Sequence, residues 1–142
     1  MMKVFLDTNI LLDYVDHREK RIYAKLILAM ADEGLISLFA SYLSYANMGY
    51  ILRKRTQEER YRLIKEARAM ASVLPCDAAQ LDAGMATEVK DCEDMLQYQC
   101  AKAAGCDVIV TNNKKDFHEF CELPFLTSEE FLLQFDYEDF QE

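Results

Sequence analysis

The stretch that most constrains this chain is Lys3-Val-Phe-Leu-Asp7-Thr-Asn9-Ile-Leu-Leu-Asp13-Tyr14. A run of β-branched and aromatic residues stops at a carboxylate, and a helix-spaced apolar pattern begins at once. That pattern predicts a buried strand handing directly to a helix, with Asp7 at the strand's carboxyl end. Asp7 and Asn9 then fall where unpaired backbone N–H groups gather positive potential. In open parallel α/β sheets this is the edge where ligands bind. A site built there needs further carboxylates, which the rest of the chain must supply.

The remaining elements alternate. A helix over Glu19–Glu33 places Ile22, Leu26, Ala29 and Met30 on one face, and Gly34 ends it. Leu35–Ala40 reads as a second strand. Ser41 or Ser44 is placed to cap a helix through Asn47 and Tyr50 to Lys54. Thr56-Gln-Glu58-Glu59 resembles a capping box for a helix ending near Ala71. A short third strand is expected at Val73–Cys76, followed by a helix that Asp77 caps and that runs through Met85. Asp91–Ala104 forms a helix closed by Gly105, and Asp107–Thr111 a fourth strand. A helical turn at Lys114–Cys121, a small fifth strand at Pro124–Leu126 and a last helix from Thr127 complete the pattern. Strand–helix alternation implies βαβ units and a parallel sheet. In the order 3-2-1-4-5, strands one and four lie side by side with the topological switch between them. Asp7 and the segment after Thr111 then share one cleft.

At 142 residues and 51% hydrophobic content, the chain reads as one domain over residues 1–135, with an acidic tail at 136–142. Its 25 acidic against 16 basic residues give a net charge of −9, which disfavours phosphate binding by bulk charge. Basic residues are concentrated from Arg53 to Arg68, so a local basic strip is compatible with the acidic whole. The five cysteines form no Cys-x-x-Cys pair, and only His17 and His118 accompany them. These features argue against zinc and for reduced thiols in a cytoplasmic protein. Asp7 interrupts the apolar start, which excludes a signal peptide. Leu35–Leu52 is uncharged, but Ser37, Ser41, Ser44, Asn47 and Gly49 break it, and it reads as a buried strand running into a buried helix rather than a membrane span.

Three segments carry candidate chemistry. Asp7 with Asn9 serves equally as a helix cap or as a functional pair. Asp91-Cys-Glu93-Asp94 puts three carboxylates in one helical turn, where they repel one another unless a cation or the helix dipole offsets them. Three exceeds what capping requires, which favours metal. Thr111-Asn-Asn113-Lys114-Lys115-Asp116 follows the Val-Ile-Val strand at the same edge as Asp7, although Asn113 and Asp116 also suit a cap with an acidic first turn. Oxygen donors of this kind suit Mg²⁺ or Mn²⁺. Such an ion lowers the pKa of its water and offsets charge on a phosphodiester. No Gly-rich phosphate loop is present, so a nucleotide cofactor has no support. No Gly-x-Ser-x-Gly or Cys/His arrangement offers a nucleophile.

These segments together resemble the PIN domain, the metal-dependent nuclease fold that includes the VapC-type toxins of toxin–antitoxin pairs. Val-Phe-Leu-Asp7-Thr-Asn9 is similar to the family's first motif, Asp91-Cys-Glu93-Asp94 to its third acidic motif, and Val-Ile-Val-Thr111-Asn-Asn113-Lys-Lys-Asp116-Phe to its last. The resemblance implies a three-layer α/β/α sandwich and endoribonuclease activity with Mg²⁺ or Mn²⁺. It places Asp7 and Asp94 as catalytic carboxylates and metal ligands. Glu93, Asp91 or Asp116 assist, and Asn9, Asn47, Thr111 and Asn113 give polar support. It also implies RNA as substrate, an antitoxin partner that blocks the cleft, and often a homodimer.

Two departures bear on activity. Where the family places a Glu in its second motif, this chain has Ser44-Tyr-Ala-Asn47, and the usual Asp of the last motif is Asn113. Asn offers a carbonyl oxygen without charge, which weakens binding of a hard cation. One metal is therefore expected rather than two. The alternative is a PIN fold that has lost catalysis and binds RNA or a protein. A phosphatase using Asp7 as nucleophile is disfavoured, because those enzymes want a second Asp two residues on and the chain has Asn9. Lys114, Lys115, Arg53 and Arg55 are weak RNA-contact candidates, since Glu58, Glu59 and Glu66 make the basic strip read better as a solvated helix face. Tyr42, Tyr45 and Tyr50 suit packing or base stacking. Phe135, Tyr137 and Phe140 at the tail are candidates for docking on a partner.

Overall fold

The computed structural model describes residues 1–135. Five strands, β1 (Met2–Leu6), β2 (Ile36–Ser41), β3 (Ser72–Leu74), β4 (Val108–Val110) and β5 (Phe125–Leu126), form one parallel sheet in the order β3-β2-β1-β4-β5. The helices between them are α1 (Thr8–Val15), α2 (Arg21–Asp32), α3 (Tyr42–Ile51), α4 (Gln57–Arg68), α5 (Ala78–Met85), α6 (Cys92–Ala103) and α7 (Ser128–Leu133). The strand order is the expected one. The acidic tail, with Tyr137 and Phe140, lies outside the described residues; Phe135 packs against the core and lies 5.1 Å from the Phe131 ring.

Alternation along the central strands creates two cores. Val4 and Leu6 of β1, with Val108 and Val110 of β4, enter one cluster together with Leu11, Ile27, Met48, Leu63 and Phe131. Phe5 and Ile109 point the other way, to Met95, Tyr98, Ala101 and Phe117. Helices α1, α2, α3, α4 and α7 therefore cover one face and α6 the other, with α5 packed on α6. This is the α/β/α sandwich, and it explains why both central strands read as continuous apolar runs.

Most helix starts obey the local chemistry. Asp7 accepts from the Thr8 N–H, Thr56 from Glu59, Asp91 from Asp94 and Thr127 from Glu130. Gly34 and Gly105 take positive φ (78° and 72°) at helix ends, where a side chain is strained.

Two expectations are corrected. The inner face of α2 is Ala24, Ile27 and Met30, whereas Ile22 and Leu26 are exposed. The helix is apolar on two overlapping stripes, and packing against α1 selects the one with the small Ala24. Nor is α3 a buried helix: Ser44 and Met48 face inward while Tyr42, Tyr50 and Ile51 stand in solvent. Its apolar residues run all round, so composition alone does not orient it.

Phe117, fully buried between Phe120 and Phe125, anchors the loop after β4. Phe117→Ala is expected to cost about 3–5 kcal/mol, read as a lower urea midpoint at unchanged slope; a loss within about 1 kcal/mol contradicts this anchoring.

Candidate active site

Asp7 sits where β1 ends, its backbone N–H donating to the Val110 carbonyl of β4 at 3.0 Å. Its carboxylate is buried and triply bonded. One oxygen accepts from the Thr8 N–H at 2.8 Å; the other accepts from the Asn9 amide at 3.1 Å and the Thr111 hydroxyl at 2.8 Å. The capping and functional readings of Asp7 are therefore compatible: the same group starts α1 and faces the cleft.

Opposite, the first turn of α6 brings Asp91, Glu93 and Asp94 together, with a carboxylate oxygen of each within 4.8 Å of the others. Asp91 accepts from the Asp94 N–H at 3.0 Å. Glu93 accepts from the Asn47 amide of α3 and from Gln97 one turn later. Asp7, Asn9, Asn47, Asp91, Glu93, Asp94 and Asn113 all line one cleft.

The other candidates lie around it. Thr111 is buried behind Asp7, and Asn113 donates its amide to Asp116, which does not line the cleft. Lys114 pairs with Glu130 at 3.0 Å, and Arg55 is held by Asp16 (2.9 Å) and Glu59 (2.8 Å). Lys115 is exposed, and Arg53 packs its guanidinium 4.1 Å from the Tyr50 ring centroid.

The electrostatics follow from setting two buried acids, Asp7 and Asp94, beside the half-buried Asp91 and the exposed Glu93. Burial, with the charges of Glu93 and Asp91 added, raises Asp7 from 3.8 to about 6 against the pull of its Thr111 and Thr8 hydrogen bonds. Asp94 is raised further, to about 9, by burial first and then by Asp7, Glu93 and Asp91. A divalent cation with oxygen ligands is the natural counterweight.

Beneath the carboxylates lies a polar network that the sequence did not announce. The fully buried Gln97 donates to Ser44 at 3.0 Å, to Glu93 at 3.3 Å and to Thr8 at 3.4 Å, and accepts from the Ser41 hydroxyl. Thr8 donates to Ser44 at 3.0 Å. The network ties α1, the β2–α3 junction and α6 together, so Ser41 spends its hydroxyl here and makes no side-chain cap. The legible signal was Gln97's spacing of one turn from Glu93. Asn112 is a second hub, donating to Asp13 at 2.9 Å and accepting from the Ser128 N–H and hydroxyl of α7. Arg18, at the cleft wall, had no sequence signal at all.

Five parallel strands ordered 3-2-1-4-5, with acids gathered at the carboxyl edge of β1, define a nuclease-like α/β/α architecture. The chain belongs to the PIN-domain family, whose model matches residues 3–115. It is similar to Ribonuclease VapC1 of Aquifex aeolicus (strain VF5), with 29% identity over 135 residues, 91% of this chain and 92% of that protein. Its fold matches VapBC2 from Rickettsia felis bound to a DNA fragment from their promoter (TM-score 0.64, 18% identity, 87% of this chain and 97% of that one). It also matches VapBC-1 from nontypeable Haemophilus influenzae (TM-score 0.64, 20% identity, 90% and 99%).

The raised acids give a signed prediction. A carboxyl that holds its proton more tightly in the folded chain lends stability at low pH and loses it as pH climbs from its unfolded value of 3.8 to its folded value of about 9 for Asp94. In chelator, Asp94→Asn is therefore expected to melt above the native protein, by more at about pH 8 than at about pH 5. A gap that stays flat or shrinks with pH, in parallel thermal melts, contradicts the account.

Proposed function

We propose that this protein is a metal-dependent endoribonuclease that hydrolyses RNA phosphodiester bonds and acts as the toxin of a toxin–antitoxin pair. The observation that carries the reading is the convergence of Asp7, Asp91, Glu93 and Asp94 on one cleft at the sheet's carboxyl edge. Membership in the PIN family and the likeness to Ribonuclease VapC1 supply the reaction class.

The donor set fits Mg²⁺ or Mn²⁺: hard oxygens, no thiolate or imidazole, and three carboxylates close enough to share one ion. Those three are Asp91, Glu93 and Asp94; Asp94 would hold the ion with Asp7, which lines the same cleft from the end of β1, and Glu93 and Asp91 would assist. When bound, the ion supplies Lewis acidity and a more acidic water. The protein's residues provide the positioning. Thr111 and Asn9 fix the Asp7 carboxylate, Asn47 and Gln97 fix Glu93, and the cap hydrogen bond fixes Asp91. Asn47 and Asn113 leave two lining positions neutral, which suits one ion rather than two.

The neighbouring VapBC complexes support an antitoxin as partner; a homodimer in the cytoplasm is part of the same proposal. No described helix is long and apolar enough to cross a membrane. A second reading, a PIN fold that binds RNA or protein without cutting, is favoured by one contact: the Asn47 amide occupies an oxygen of Glu93.

Calorimetric titration with Mn²⁺ and Mg²⁺, comparing the native protein with Asp7→Asn and Asp94→Asn, separates the readings. Each substitution is expected to weaken binding about tenfold or more and to lower metal-dependent cleavage of structured RNA by roughly 10² or more. No binding at millimolar metal sinks the nuclease and leaves the binding module.

A further inference from the structure

Four carboxylates line the cleft, yet among the described lining residues there is one cation, Arg18. An acidic cleft on a chain of net charge −9 repels a phosphodiester unless some fixed positive charge meets it. Arg18 sits in the turn between α1 and α2, and the fold holds that turn firmly. Asp16 closes α1 through its N–H to the Leu12 carbonyl, and His17 adopts a left-handed φ of 49°, an uncommon conformation for a residue with a side chain. The Arg18 N–H then donates to the Asp13 carbonyl at 3.1 Å, and its own carbonyl accepts from Arg21 at 3.0 Å. The backbone is pinned on both sides. The side chain is held more loosely: its Nε pairs at 3.7 Å with an Asp16 oxygen that Arg55 holds more closely, at 2.9 Å, and it stays 40% exposed.

On the same cleft, α3 presents Tyr50, 68% exposed. An exposed tyrosine usually wanders, but this one is braced. Arg53 lays its guanidinium 4.1 Å from the ring centroid and donates to the Tyr50 carbonyl at 3.0 Å. Leu12 and Ile51 add apolar surface to the same wall. A braced aromatic ring on the same cleft as the Arg18 guanidinium is a stacking surface for an unpaired base, with a charge to meet its phosphate.

We propose that Arg18, Tyr50 and Arg53 form a nucleotide subsite on the rim of the cleft. It takes one unpaired base of a single-stranded RNA on Tyr50 and the adjoining phosphate on Arg18. The subsite rests on the nuclease reading for its substrate class, but it is a binding claim and needs no catalysis. It selects single-stranded RNA, because bases in an A-form duplex are paired and stacked away from such a ring. It also gives α3 a use for the tyrosine that packing left in solvent.

The test is run in chelator, so cleavage does not enter. The probe is a single-stranded RNA 12-mer carrying one 2-aminopurine and a terminal fluorescein, with the matching duplex as control. The native protein is expected to bind the single strand with quenching of the 2-aminopurine and to leave the duplex unquenched. Tyr50→Ala is expected to lose roughly tenfold or more in affinity together with the quench, while Tyr50→Phe keeps both. Arg18→Ala is expected to weaken binding and to lower the slope of log affinity against log salt by about one. Tyr50 is solvent-exposed, so its variants keep the fold, which circular dichroism checks. Binding that ignores Tyr50→Ala, or an unaltered salt slope in Arg18→Ala, overturns the subsite and assigns the rim to a protein partner instead. Metal binding and cleavage are scored separately, so a failed nuclease with an intact Tyr50 effect is distinguished from the reverse.

Discussion

The cost of burying the Asp7 and Asp94 carboxylates, with the charges of Asp91 and Glu93 added to it, is the constraint the rest of this site is arranged around. Carboxylates drawn into a poorly hydrated cleft either keep their protons or need a cation, and both Asp7 and Asp94 are raised well above the ordinary range. The surrounding donors reduce the penalty without removing it. Thr111, Asn9 and the Thr8 N–H serve Asp7, while Asn47 and Gln97 serve Glu93. Holding these acids together costs the fold stability, the compromise expected where a site is placed ahead of stability.

The scaffold contributes by placing the ends of distant segments at one edge. β1 and β4 pair in register through Phe5 and Ile109, which aligns Asp7 with the turn beginning at Thr111. The N-terminus of α6 comes in over the sheet's second face, where Met95, Tyr98 and Ala101 fix its inner side. With that side committed to the core, the first turn projects its acids at the edge. Gln97 binds this helix to α1 and α3 through buried hydroxyls, so the three parts of the cleft are coupled by hydrogen bonds and not only by packing.

Much of this was written in the sequence where local chemistry decides the outcome. The strand ending at Asp7, the cap at Asp91 and the punctuation at Gly34 and Gly105 follow from periodicity and capping, while the sheet order matches the general doubly wound pattern. Reading failed where several outcomes were locally equivalent. In α2, Ile22 and Leu26 make as good a stripe as Ala24 and Ile27, and only the neighbouring helix chooses. In α3, apolar residues on every side give no face at all, so the sequence leaves Tyr42 and Tyr50 open between packing and base stacking, and the fold puts both in solvent. Asp116 had the right residue type and neighbourhood, and the short turn at Lys114–Asp116 sets it behind Asn113, whose amide it accepts, rather than in the lining itself. Arg18 was invisible because its place depends on the turn between α1 and α2, which a left-handed His17 shapes.

The Thr111–Asp7 hydrogen bond joins residues 104 apart in the chain. No local folding event can make it. α1 can form beside β1 early, with Asp7 as its cap, but the carboxylate gains its hydroxyl donor only when the fourth strand docks beside the first. Asn112 then ties the same junction to α7 through Ser128. The cleft is therefore complete only when the final third of the chain is docked against the first two strands. A growing or partly unfolded chain carries the acids without the arrangement, which belongs to the finished fold alone.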